Sequence, residues 1–264
     1  MKNALLSLLL TLLLALLVSL AAAQQPASAQ QQVTRVVALP FSTSETTAPY
    51  GAGMAAALQR GLNTIDNVYV PPVGDALAVA ERLQGADRLS PEALAEAFDA
   101  AVVVSGQVEA SGNQAQILIG LSGPRFPEAR DLTVSGPLED APELAARVVN
   151  EVVRALGLAL SGEDRAELDS VLAQTPEFSS LLAVAESALR TQAPNRAQLE
   201  VAAQLSPDSS WVLAERARAL ALAGDLEGAL VLAAQATERA PADAEAWVTR
   251  GIVTLAAGDR EAAL

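Results

Sequence analysis

PDSSWVLAERARALALAGDLEGA (Pro207–Ala229) and PADAEAWVTRGIVTLAAGDREAA (Pro241–Ala263) are two copies of one pattern, set 34 residues apart. Pro207 answers Pro241, Gly224 answers Gly258, Asp225 answers Asp259 and Ala229 answers Ala263. Each copy reads as a helix, a Gly-Asp turn and a second helix. Glycine at the turn takes the backbone conformation that other residues resist, and the small residues at regular helical spacing let two helices approach closely. Leu213, Ala217, Leu220, Ala229, Ala233 and Ala236 take the packing positions of the first copy; Trp247, Gly251, Leu255 and Ala263 take those of the second.

A 34-residue helix–turn–helix period of this kind resembles the tetratricopeptide (TPR) repeat. The match covers Ser210–Leu264: one complete repeat from Ser210 to Pro241, and a second from Ala244 that stops inside its second helix. Pro176–Ser206 has matching helices, Phe178–Arg190 and Arg196–Leu205, but its turn, Thr191–Pro194, lacks the Gly-Asp step and reads as a degenerate first repeat. Stacked repeats usually need about three units and a polar cap, so the expectation is a piece of a longer array. The resemblance implies an all-α solenoid over 176–264 that binds protein or peptide in the groove of its first helices. It places Trp211, Ala214, Arg218, Leu222, Glu245, Val248, Ile252 and Leu255 on that groove. Two alternatives stand beside this: Trp211, Ile252 and Leu255 pack against neighbouring repeats, and Arg218 pairs with Glu215 rather than with a peptide carboxylate. The chaperone-tail type of TPR needs Lys and Asn where this chain has Ala214 and Arg218, so that ligand is not expected.

Upstream, Val33–Phe41 is a β-rich run closed by Pro40, and Tyr50–Ile65 carries Met54, Leu58, Leu62 and Ile65 on one helical face. Val68–Val70 reads as a short strand, and Asp75–Leu83 and Ser90–Phe98 as helices. Ala101–Val108 and Gln114–Leu121 form a hairpin about Ser111-Gly112-Asn113. Leu132–Val134 is a short strand, and Pro142–Leu158 a helix stepping through Leu144, Val148, Val152 and Leu156. The order β-α-β-α-α-β-β-β-α predicts an α/β domain with a mixed sheet over 33–160. Arg35–Phe41, Tyr50-x-x-Gly53-Met54-x-x-x-Leu58, Ala101–Val108 and Leu156-Gly157-Leu158 resemble the TolB N-terminal-like domain and, more distantly, the CsgG/LpoB group of envelope proteins. In bacteria such domains often precede TPR arrays. The resemblance implies no catalytic site. After Leu121 this chain departs from the family: Ser122-Gly123-Pro124-Arg125 is a shorter link.

Gly51-Ala52-Gly53-Met54-Ala55-Ala56 mimics a dinucleotide-binding turn, but that fingerprint follows a strand directly, and nine residues separate Phe41 from Gly51. These small residues instead suit close packing of a helix on the sheet. Arg125, Glu128, Arg130 and Asp131 read as a solvated charged loop. An acid pair for glycoside hydrolysis, drawn from Asp99, Glu109 or Asp131, has no cleft signature behind it.

Composition narrows the function further. The 264 residues hold no histidine and no cysteine, which removes His general bases, Cys nucleophiles, the Ser-His-Asp triad and His or thiolate zinc ligands. No enzyme activity, catalytic residue, cofactor or metal is expected. Seventeen basic against 31 acidic residues, net −14, oppose binding to nucleic acid or anionic membrane. Met1–Ala23, with Lys2 ahead of an apolar run and small-residue cleavage positions at Ala23 and Ala29, reads as a signal peptide with a short linker (1–29); an uncleaved N-terminal anchor is the alternative. With no cysteine after the run, lipid anchoring is excluded. The sequence as a whole predicts a periplasmic or secreted non-enzymatic adaptor that binds protein or peptide in the cell envelope. The alternative is an envelope assembly or activator module working through its α/β domain.

Overall fold

The computed structural model describes residues 33–189 and 194–263; the signal-peptide expectation for 1–29 lies outside them. Six strands and ten α-helices occur among the described residues. Strand β1 (Thr34–Ala38) is apolar on both faces because both are covered, as parallel central strands usually are. It lies between β3 (Val68–Tyr69) and β4 (Val102–Ser111), parallel to each. Pro40 ends the strand, having no N–H to donate. The chain resumes as β2 (Ser42–Thr43), parallel to Gln107–Val108 farther along β4, so the expected single run to Phe41 is split. Phe41 crosses above Gly106, where a Cβ would stand 2.5 Å from the ring.

Strand β5 (Gln114–Gly123) returns antiparallel along β4, and β6 (Phe126–Pro137) antiparallel along β5, giving the order β3-β1-β4-β5-β6. β6 is far longer than the expected Leu132–Val134. Glu128, Arg130 and Asp131 belong to this strand and not to a loop, while Arg125 sits in the tight turn before it. Their stretch of β6 is exposed, so no apolar alternation marks it.

One face of the sheet carries helices α1 (Pro49–Leu62) and α4 (Ala141–Ala155); the other carries α2 (Val73–Gly85) and α3 (Pro91–Phe98). In α4 the four-residue step of Leu144, Val148, Val152 and Leu156 is fully buried, as its spacing predicts. α1 departs from expectation. It is buried almost all round, because a second layer of helices covers the side turned from the sheet. Gly53 packs there, not on the sheet: a Cβ would lie 2.7 Å from Leu181. Leu181 belongs to α6 (Phe178–Leu189), and the Phe178 ring meets that of Tyr50 at 5.2 Å.

Before α6 comes α5 (Gly162–Leu172), a helix not expected from the sequence. Ser161 and Asp164 cap it reciprocally, and Leu168, Val171 and Leu172 are buried. Beyond α6 the chain forms α7 (Arg196–Leu205), α8 (Ser210–Leu222), α9 (Leu226–Arg239) and α10 (Ala244–Ala256). One hydrophobic core runs from the sheet through α1 into Leu181 and Val184 of α6, Leu199 and Ala202 of α7, and Trp211 and Val212 of α8. Packing therefore does not break between Leu160 and Pro176, where the sequence suggested a boundary; Thr34–Leu264 is one compact unit. α9 and α10 attach to α8 through two small alanine-rich clusters.

Candidate functional site

The 34-residue offset recurs in the backbone of the helical region. α8 and α10 end alike, with Gly224 at φ +86° and Gly258 at φ +91°. Asp225 N–H donates to Leu220 O at 3.0 Å and Asp259 N–H to Thr254 O at 3.2 Å, the six-to-one bond of a Schellman motif. The same aspartates then cap the next turn of chain, Asp225 accepting from Gly228 N–H at 3.0 Å and Asp259 from Ala262 N–H at 2.9 Å. Asp243, the N-cap of α10, stands one period after Ser209, the N-cap of α8.

The eight residues assigned to a peptide groove divide into two sets. Trp211 and Ala214 are fully buried, Arg218 is largely buried and Glu245 partly so, whereas Leu222, Val248, Ile252 and Leu255 are each about half exposed. Helix α1 accounts for much of the first set. Arg60, in its last turn, lies 4.8 Å over the Trp211 ring and pairs with Asp243; the two side chains are 3% and 0% exposed. Asp243 meanwhile accepts from Glu245 N–H at 3.1 Å and lies 3.5 Å from the Ser210 hydroxyl. Gln59 donates to the Glu245 carboxylate at 3.0 Å and accepts from Val73 N–H at 3.2 Å. Ala214 is covered from the other side, by Ala236 and Ala246.

Arg218 pairs with Glu215 and not with a free carboxylate, and it does so in the interior rather than in solvent. Glu215 is fully buried and also accepts from the Ser187 hydroxyl at 2.7 Å. Burial pushes the Glu215 carboxyl above the usual carboxylate range; Arg218, Arg60 and the Ser187 bond oppose that shift, and Glu245 adds to it. What remains open beside this network is a cleft of about 290 Å³ lined by Gln59, Arg60, Asp75, Arg218 and Glu245 among others. The chain's own α1 and α2 thus stand where a peptide was expected. Arg60 and Asp243, central to the arrangement, were not singled out by the sequence; the one available signal is that Arg60 is the sole charged residue of α1.

Of the second set, Leu222 ends α8, and the other three lie on an open face of α10. On α10, Trp247, Val248, Ile252 and Leu255 are 49–53% exposed and share one side of the helix. Trp247, assigned to packing by the sequence, is instead held at the surface: its Nε1 donates to Pro241 O at 2.8 Å, and the Arg250 guanidinium lies 5.3 Å from its ring. One period earlier, Leu213 and Ala214 of α8 are buried against α9 and α10. Among the described residues no cluster of three or more His, Cys, Asp or Glu side chains is placed to hold a metal, and no helix is long and apolar enough to cross a membrane. Compared with protein-family models and with curated proteins, the chain matches none.

Proposed function

We propose that the protein is a non-enzymatic adaptor of the cell envelope, a TolB-N-like α/β domain bearing TPR-type repeats, which binds a partner protein through its helical region. The open face of α10 carries this reading. Trp247, Val248, Ile252 and Leu255 repeat, at a distance of 34 residues, helix positions that in α8 include buried contacts with the next helices, and a half-exposed tryptophan fixed by its own hydrogen bond is a typical interface anchor. Its occupant is a helix presenting an apolar side. Filling of the inner groove by Arg60 and Gln59 favours a second reading, in which the helices brace the α/β domain and that domain is the working module, as in the CsgG/LpoB group.

Chemical crosslinking in envelope extract, with Gln30–Leu264 as bait and mass spectrometry as the readout, separates the two. Val248→Asp and Ile252→Asp change exposed positions only, so circular dichroism should be unaltered. Loss of the captured partner in both variants supports the adaptor; undiminished capture transfers the function to the α/β domain. A bait cut after α5 is unsuitable, because Leu181, Leu199 and Trp211 belong to the shared core.

A further inference from the structure

A second opening lies in the α/β part, away from both the α1–α10 network and the α10 face. It is a cleft of about 650 Å³ between α3 and the β5–β6 turn, within the ~300–1,000 Å³ range of ligand pockets. Its two walls differ in chemistry. Along α3 stand Glu92 and Glu96, with Asp99 at its left-handed C-cap, all exposed; across from them stand Pro124, Phe126 and Pro127. The apolar wall is anchored: Arg125 N–H donates to Ala101 O at 2.9 Å, and the Arg125 guanidinium is spent on Leu156 O at the end of α4. No cation is among the residues lining the cleft. Arg35 approaches Asp99 only at 3.7 Å, in an exposed pair that contributes little. The C-terminal end of α3 adds its own negative potential, and Arg35 already donates to Phe98 O there at 3.4 Å, so a guanidinium suits this helix end.

Spacing defines the occupant. Glu92 and Glu96, four residues apart on a helix, are separated along its axis by about 6 Å, and Asp99 follows just past the last turn, where the backbone leaves the helix at φ +50°. An extended peptide brings every second side chain to the same side at intervals of about 6.6 Å, with the intervening ones turned opposite. We propose that this cleft takes an extended segment of a partner protein in which basic and apolar residues alternate, the basic ones facing α3 and the apolar ones facing Phe126 and its prolines. The site is independent of the α10 face and of the adaptor reading built on it.

Fluorescence anisotropy with the whole chain and two labelled hexapeptides tests this: alternating Arg-Leu-Arg-Leu-Arg-Leu, and blocked Arg-Arg-Arg-Leu-Leu-Leu. Identical charge and composition cancel the general attraction of an acidic protein for a cation. The alternating peptide should bind at least about tenfold tighter. That preference should vanish in E92Q/E96Q/D99N and survive in E163Q/E167Q/D169N, which removes the same charge from α5. Ala129→Trp, at an exposed position lining the cleft, should abolish binding with every carboxylate in place. Equal affinity for the two peptides, equal loss in the α5 control, or full binding to the Ala129→Trp variant would each overturn the proposal.

Discussion

Replacing Asp243 by Asn removes one charge from the interior and almost nothing else. Asparagine caps a helix about as well as aspartate, so the bond from Glu245 N–H and the start of α10 are preserved. Arg60 is left buried without its ion-pair partner, keeping its ring contact to Trp211 and only the longer-range attraction of the Glu215 carboxyl. Breaking a buried pair from one side costs about 3–5 kcal/mol, whereas exposed pairs contribute about 0–1 kcal/mol. For a chain of this size each kcal/mol lowers Tm by about 2–4 °C, so Asp243→Asn should melt roughly 6–20 °C below the parent. Arg60→Met, which leaves Asp243 unpaired instead, should be comparably damaging. The double variant, with neither charge, should recover much of the loss. Urea unfolding of all four proteins closes the cycle, and hydrogen exchange should show α10 losing protection first. A cost under about 1 kcal/mol for Asp243→Asn, or two losses that simply add, would refute the view that this pair clamps α10 to α1.

Gly53→Val should destabilise by about 1–3 kcal/mol, since its Cβ would fall 2.7 Å from Leu181; Leu181→Ala in the same chain should return part of it, and thermal melts of the three variants decide. Glu215→Gln should alter the pH dependence. A carboxyl whose native pKa is raised binds its proton more tightly in the folded state, so its contribution is complete below the ordinary Glu pKa and is lost as pH rises through the raised value. The parent should therefore lose stability relative to Glu215→Gln from about pH 4.5 upward, and urea midpoints that keep a constant difference from pH 4 to 8 would contradict this.

What could be read from the sequence was what adjacent residues decide among themselves. The helix ends at Gly224 and Gly258, the capped start of α3 at Ser90-Pro91 and the buried step of α4 all follow from local bonding or from a period within one element. The capping pair Ser161 and Asp164 was equally local, so α5 was within reach. The opening half of β6 was not, because exposure on both faces removes the alternation by which strands are recognised. Nor was the all-round burial of α1. Its Leu and Met positions mark the face on the sheet, while the opposite side, before Gln59 and Arg60, is mostly alanine and glycine, which show no preference until a partner such as Leu181 is known. The candidate groove suffered in the same way: Arg60 and Asp243 meet across 183 residues of sequence.

That long-range pair also explains how the α/β part can govern the helical surface. Ala217, Ala229, Ala233, Ala236 and Ala246 supply much of the contact among α8, α9 and α10, and alanine buries little area for each residue placed. Such helices gain close approach but little to oppose sliding. Position must come from directional contacts: at the start of α10 Arg60 on Asp243 and Gln59 on Glu245, both from α1, with Ser210 of α8 also beside Asp243, and farther along Arg250 donating to Thr237 of α9 at 3.0 Å. α1 itself is held on all sides by the sheet, α4, α5 and α6. The buried part of this fixation, and with it the orientation of Trp247, Val248, Ile252 and Leu255, depends on a helix of the α/β part, and a partner that engages the open face meets a surface already fixed in place. Weakening the clamp should then lower affinity at the α10 face without touching any residue of that face. Asp243→Asn measured in the crosslinking assay, at a temperature where the variant remains folded, tests this coupling directly; unchanged capture would mean that the helical region holds its own shape.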